Sequence, residues 1–174
     1  MARICVYAGA HDGARPSYLA AATAFGTELA RRGHGMVYGG ANCGLMGACA
    51  DAALKGGAEV VGVLPRALTS REIAHRGLTE LRIVNSLHER KAVMSALSDA
   101  VVALPGGCGT LDELFETITW VQLGIHEKPI GLLDVEGYWT QLTLLLEQMN
   151  REGFVRPALR LRRSEDPAAL LDQL

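Results

Sequence analysis

Two stretches of the chain combine residue types that could do chemistry on an anionic substrate. The first is LPGGCGTLDE, Leu104 to Glu113, where Gly106, Gly107, Gly109 and Thr110 separate an apolar run from a helical pattern and two acids follow. Bare backbone N–H groups at a helix start point at an anion, and the helix dipole favours negative charge there. A carboxylate beside such a cradle, Glu113, could stabilise developing positive charge or orient a water. The same residues also fit a capping box, in which Thr110 caps the helix and Glu113 bonds back to its N–H. That alternative explains Thr110 and Glu113, and a strand-to-helix turn needs one of the glycines, but the others are left without a purpose. No GK[ST] follows and no GxGxxG is present, so the anion that fits is a monophosphate rather than a pyrophosphate.

The second stretch is SLHERK, Ser86 to Lys91. Ser86 and Glu89 make another capping box. Arg90 and Lys91 put two cations in the first turns of a helix, against the dipole, at roughly a few tenths of a kcal/mol each. A solvated surface tolerates that, whereas a site for an anionic substrate gains from it.

The elements that must position these residues alternate along the chain. Ile4–Gly9, Gly35–Gly40, Glu59–Pro65, Leu81–Ser86, Ala100–Gly106 and Pro129–Val135 read as strands, nearly continuous in apolar character as befits strands covered on both faces. Ser17–Arg32, Leu45–Lys55, Leu87–Ser98, Leu111–Leu123 and Tyr138–Arg151 read as helices. The rhythm predicts an α/β fold, a doubly wound parallel sheet with helices on both faces, in one domain spanning 1–174. Arg66–Glu80 is a polar connection, a mobile loop or short helix near the site, and the tail holds one short strand and a helix starting at Asp166–Pro167. Glycine-rich segments follow the first, second and fifth strands: YAGAHDG, YGGANCGLMG (with Gly40 and Gly44) and LPGGCGT. Ligands bind at that edge of such sheets, and three glycine-rich ends together suggest one.

Bulk composition removes several classes. The formal net charge is −2, so no basic field draws the chain to nucleic acid or an anionic membrane. No apolar run has the length of a membrane span, and the start lacks the pattern of a signal peptide. Cys5, Cys43, Cys49 and Cys108 lack CxxC spacing, which suggests free thiols in a reducing cytoplasm. Five scattered histidines, without HExxH, predict no metal site.

PGGCGTLDE resembles the PGGxGTxxE signature of the lonely-guy (LOG) family, the cytokinin riboside 5′-monophosphate phosphoribohydrolases. LHERK is similar to that family's MHERK element, and YGGANCGLMG to its YGGGxxGLMG element; the similarity runs from Ile4 to about Phe154. The resemblance implies a Rossmann-like fold and hydrolysis of the N-glycosidic bond of an N6-substituted AMP to free base and ribose 5-phosphate. By position, Arg90 and Glu113 correspond to the catalytic pair. Gly107, Gly109 and Thr110, with Gly106 before them, correspond to the phosphate turn. Glu89 and Lys91 would sit beside the ribose or base. On this reading the capping box and the cradle are one helix start, which holds phosphate while Glu113 reaches the ribose. The resemblance also implies a homodimer near the helix LDELFETITWVQL, with Leu111, Leu114, Phe115, Ile118 and Val121 on one face and Trp120 and Leu123 roughly opposite.

The chain departs from the family at Ala10 and His11 in the first loop, at Ala41, and at Leu87, which bears on base preference. No cofactor is expected: the label lysine decarboxylase, often attached to this family, would need a pyridoxal-bearing lysine among Lys55, Lys91 and Lys128. The alternative function is a non-catalytic nucleotide or molybdenum-cofactor binding protein of the same fold, which would not need Arg90 and Glu113 together.

Overall fold

The computed structural model describes residues 1–69, 74–155 and 161–174. Its strands are β1 (Arg3–Tyr7), β2 (Gly35–Tyr38), β3 (Val60–Pro65), β4 (Glu80–Val84), β5 (Ala100–Ala103), β6 (Ile130–Leu133) and β7 (Leu161–Ser164). They form one sheet in the order β4-β3-β2-β1-β5-β6-β7, with every neighbouring pair parallel. Around it lie α1 (Pro16–Arg31), α2 (Gly44–Lys55), the short α3 (Arg66–Thr69), α4 (Leu87–Ala96), α5 (Cys108–Gln122), α6 (Thr140–Arg151) and α7 (Pro167–Leu171).

The predicted parallel α/β sheet is present. β1 shows why its strands read as continuous apolar runs. Ile4 and Val6 face a core shared with Ala22, Phe25 and Leu29 of α1, Leu45 and Cys49 of α2, and Leu170 of α7. Cys5 and Tyr7 face a second core with Met94 of α4, Leu114 and Ile118 of α5, and Leu142 and Leu146 of α6. Alternate residues therefore meet different helices, and both faces need apolar side chains. The two edge strands are the exceptions: β4 leaves Leu81 and Ile83 exposed, and β7 carries Arg162 and Arg163.

Several helix starts follow from local chemistry. Pro16 and Pro167 occupy the first helical positions of α1 and α7, where no N–H is needed. The expected start at Asp166–Pro167 is found, with the Asp166 carboxylate accepting from Ala168 N–H at 2.8 Å. α6 begins at Thr140, two residues after the expected Tyr138, because Val135–Gly137 form a 3₁₀ turn in which Glu136 adopts φ 52°. The connection 66–80 opens with α3, residues 70–73 lie outside the described residues, and Ala74 pairs antiparallel with Ala41. Among the described residues no helix is long and apolar enough to cross a membrane.

Candidate active site

The strand order reverses between β1 and β5. The helices that follow them, α1 and α5, go to opposite faces, so the two loops part at the carboxyl edge and leave a crevice. Gly9 N–H donates to Pro105 O at 3.0 Å and ties the loops at its floor. Above this lies a cavity of about 220 Å³ whose lining includes Gly9, His11, Tyr18, Gly106, Gly107 and Tyr138. A cavity of about 550 Å³ lies away from these loops, beside Arg3, Glu59 and Asp99, but there Arg3 is already bonded to Glu59 at 3.0 Å and none of the site residues takes part.

The helix start at LPGGCGT differs from the capping box considered above. α5 begins at Cys108, with Gly107 as its N-cap and no side-chain cap. Thr110 is therefore the third helical residue, and Glu113 sits a turn further in, beyond reach of a cap. The first helical bond runs from Leu111 N–H to Gly107 O at 3.1 Å, so the N–H groups of Cys108, Gly109 and Thr110 have no acceptor within the helix. Thr110 is buried. Its hydroxyl lies so close to Gly106 that a Cβ there would come within 2.1 Å of it, so only glycine lets the strand turn onto the helix. At Gly107 and Gly109 a Cβ would meet nothing within 4 Å. Those two positions keep open the space in front of the bare N–H groups.

Arg90 and Glu113 meet beside this helix start. Arg90 Nη1 lies 3.1 Å from Glu113 Oε1, with both side chains largely buried at 14% and 10% exposure. Arg90 Nε–H donates to Val63 O at 3.1 Å, which fixes the guanidinium against the end of β3. Burial pushes the Glu113 carboxyl above the usual carboxylate range; Arg90 and Lys91 pull it down, Asp112 and Glu116 push it up, and the net direction is upward. A carboxylate so placed is a stronger base toward a bound water than an exposed one. The arrangement suits a reaction in which positive charge develops next to a phosphate-bearing group.

The other expected residues divide. Glu89 acts at the start of α4: its N–H donates to Ser86 Oγ at 3.0 Å and its carboxylate accepts from Asn85 N–H at 2.7 Å. Lys91 reaches across to α5, with its ammonium 3.0 Å from Asp112 and 3.2 Å from Glu116. Partial burial works against that charge, but the hydrogen bonds to the two acids outweigh it and hold the ammonium above its ordinary pKa. Gly40 turns at φ +77° and Gly44 packs against the first loop, where a Cβ would come within 2.3 Å of His11 N.

Two residues escape the sequence reading. At Gly39 a Cβ would lie 2.0 Å from Arg90 Nη2, so the guanidinium occupies the place of a side chain; the YGG doublet was the available signal, and it pointed equally at Gly40. Tyr138 donates its hydroxyl to Gly106 O at 2.5 Å and stands edge-on to Tyr18, closing the crevice from a loop whose sequence carries no such signal.

Comparison with known proteins adds the family. A family model described as "Possible lysine decarboxylase" matches residues 46–174. A cytokinin riboside 5′-monophosphate phosphoribohydrolase of Arabidopsis thaliana is 49% identical over 91% of this chain and 74% of its own length. A probable cytokinin riboside 5′-monophosphate phosphoribohydrolase of Oryza sativa subsp. japonica is 46% identical over 99% of this chain and 82% of its own length. The chain belongs to the lonely-guy family.

Among solved structures, the molybdenum cofactor carrier protein of Chlamydomonas reinhardtii superposes with a TM-score of 0.75 at 20% identity, covering 99% of this chain and 96% of that one. At that identity the likeness carries the fold alone, which this lonely-guy chain shares. The "lysine decarboxylase" description finds little support in the lysines themselves. Lys55 is exposed at the end of α2, Lys91 is held by two acids, and Lys128 donates to Ser95 O.

Proposed function

We propose that this chain hydrolyses the N-glycosidic bond of N6-substituted adenosine 5′-monophosphates, releasing free base and ribose 5-phosphate. The observation that carries the reading is the largely buried Arg90–Glu113 pair beside a helix start with no side-chain cap. The named activity of relatives about half identical to this chain supports it.

In this reading the N–H groups of Cys108, Gly109 and Thr110 hold the 5′-phosphate, which fixes the ribose before the buried pair. Breaking the bond between C1′ and the purine nitrogen leaves oxocarbenium character on the sugar, as in glycoside hydrolysis. Glu113 stabilises that charge and takes a proton from the attacking water. The water oxygen joins C1′, the bonding pair stays on the purine, and the proton that Glu113 took passes through solvent to the departing base, which restores the carboxylate. Arg90 keeps its proton throughout, so it orients Glu113 and balances charge. Lys91, expected beside the ribose or base, is better supported as a strut between α4 and α5, given its two carboxylate partners. Glu89 is likewise supported as a cap.

A homodimer is part of the proposal. α5 presents a groove of about 460 Å³ lined by Lys91, Cys108, Leu111, Asp112, Phe115, Glu116 and Thr119, and Leu123 and Ile125 beyond it are exposed. Sedimentation giving only an 18.6 kDa species would overturn it.

The decisive experiment incubates the protein with AMP and isopentenyl-AMP, with the matching nucleosides as controls, and separates the products chromatographically. Free base from the monophosphates alone is expected. Folded protein that releases no base from any of them would overturn the reading in favour of a nucleotide-binding protein.

A further inference from the structure

Resting on the phosphoribohydrolase reading, we propose that His75 is a positioning residue that sets the place of Arg90 through the loop Gly39–Ala41. His75 is one of the scattered histidines without a metal pattern, and the structure gives it three separate bonds. Its backbone N–H donates to Gly40 O at 2.9 Å. Its ring is 6% exposed, and Nδ1 accepts from Gly77 N–H at 3.0 Å. That bond assigns the ring hydrogen to Nε2, which donates to Asp51 Oδ1 on α2 at 2.9 Å. Alongside, Ala74 pairs antiparallel with Ala41.

The loop held in this way is the one against which Arg90 rests. Gly39 leaves room for the guanidinium and nothing more. Gly40 sits at φ +77°, a conformation glycine enters and leaves freely, and the loop's own side-chain bond, from the Tyr38 hydroxyl to Ala41 O at 3.2 Å, does not reach Gly40. The turn at 74–77 does: the imidazole anchors the turn to α2, the turn grips Gly40 and Ala41, and Gly39 then walls the guanidinium that meets Glu113. Asp51 is 65% exposed, so it offers access to the latch from outside the site.

The test uses His75→Ala, His75→Gln and Asp51→Ala in the full chain. Two quantities are read: kcat and KM for isopentenyl-AMP, and the NMR resonance of Arg90 Nε–H in protein without substrate. His75→Ala should lower kcat about tenfold by displacing Arg90, while KM, governed by the phosphate turn, stays within about twofold. Asp51→Ala should fall in the same direction, and the double alanine variant should be no worse than His75→Ala because both break one latch. His75→Gln, whose amide can still donate to Asp51, should recover most of kcat. The Arg90 resonance should move in both alanine variants and return in the glutamine variant. Wild-type kcat in Asp51→Ala and His75→Ala, or an unmoved Arg90 resonance, would overturn the proposal. If His75→Ala does not fold, the exposed Asp51 position still decides it. Should the wild-type protein release no base, the phosphoribohydrolase reading fails, while the resonance still reports on the latch.

Discussion

Gly39→Ala separates the site from the fold with a single methyl group. The new Cβ would lie 2.0 Å from Arg90 Nη2 and 3.2 Å from its Cζ, with Met46 Sδ at an acceptable 3.4 Å. Non-bonded carbon and nitrogen need well over 3 Å, so the guanidinium must retreat by more than 1 Å. It cannot do so and keep both its bond to Val63 O and its pairing with Glu113, each at 3.1 Å. A displacement of that size in a positioning group costs about 100-fold in rate, equivalent to about 2.7 kcal/mol in the barrier. Stability should barely move. Gly39 is not among the glycines with positive φ, so alanine fits the backbone and gains about 0.4–1 kcal/mol from a stiffer unfolded chain. Losing the Arg90 bond to Val63 O gives back about 1 kcal/mol, so Tm should stay within about 3 °C. The assay pairs chromatographic base release from isopentenyl-AMP with a thermal melt. Gly40→Ala is the contrasting control, since φ +77° makes an alanine there cost roughly 1–2 kcal/mol in stability. A Gly39→Ala protein that turns over at the wild-type rate would refute the claim that the exact seat of Arg90 matters.

Three further expectations follow from the same geometry. Glu113→Gln should fold and lose about 10²–10⁴ in turnover; because burial raises the folded carboxyl, the acid limb of the wild-type kcat/KM profile should lie above the ordinary glutamate range, and a limb at or below that range counts against Glu113 as the base. The same raised pKa makes ionised Glu113 a stability cost that grows as pH rises through the window above its unfolded value, and melts of Glu113→Gln should lack that slope. Gly107→Val places a side chain in open space before the bare N–H groups, so it should cost only the roughly 1 kcal/mol of a poor N-cap residue in stability but raise KM for the monophosphate; an unchanged KM would move the phosphate elsewhere. Glu28, hydrogen-bonded to Arg31 and Arg32, is held down to about 2 from its ordinary 4.5; its stabilisation is complete above pH 4.5 and disappears as pH falls toward 2, so Glu28→Gln should flatten acid unfolding across that window, as followed by circular dichroism.

What the sequence disclosed and what it hid have physical causes. Strands such as β1 were legible because burial on both faces leaves an unbroken apolar run, and the three glycine-rich ends because glycine in series has few other uses. Arg90 and Glu113 were legible only as types at suspicious places; that they meet depends on α4 and α5 lying side by side. The start of α5 was misjudged because Thr110 and Glu113 have the spacing of a cap, whereas Gly106 turns tightly under Thr110 and starts the helix at Cys108. Gly39 and Gly40 look alike in sequence and differ in what approaches them: a guanidinium from 51 positions later in one case, a backbone turn in the other. Lys91 was read toward the substrate because its partners, Asp112 and Glu116, become its neighbours only after the chain has passed through β5.

The central place of β1 also bears on how the protein comes into being. β1, β2 and β3 pair with near neighbours in sequence, but β5 must return across 96 positions to lie against Ile4. Such closures are the slow part of folding, since the chain loses freedom before the contact rewards it. Arg90 precedes β5 and Glu113 follows it, so the pair forms only when that late strand has docked. A growing or half-folded chain can therefore hold a sound N-terminal layer and still be inert, and nucleotides meet a working hydrolase only once the two halves of the sheet have joined.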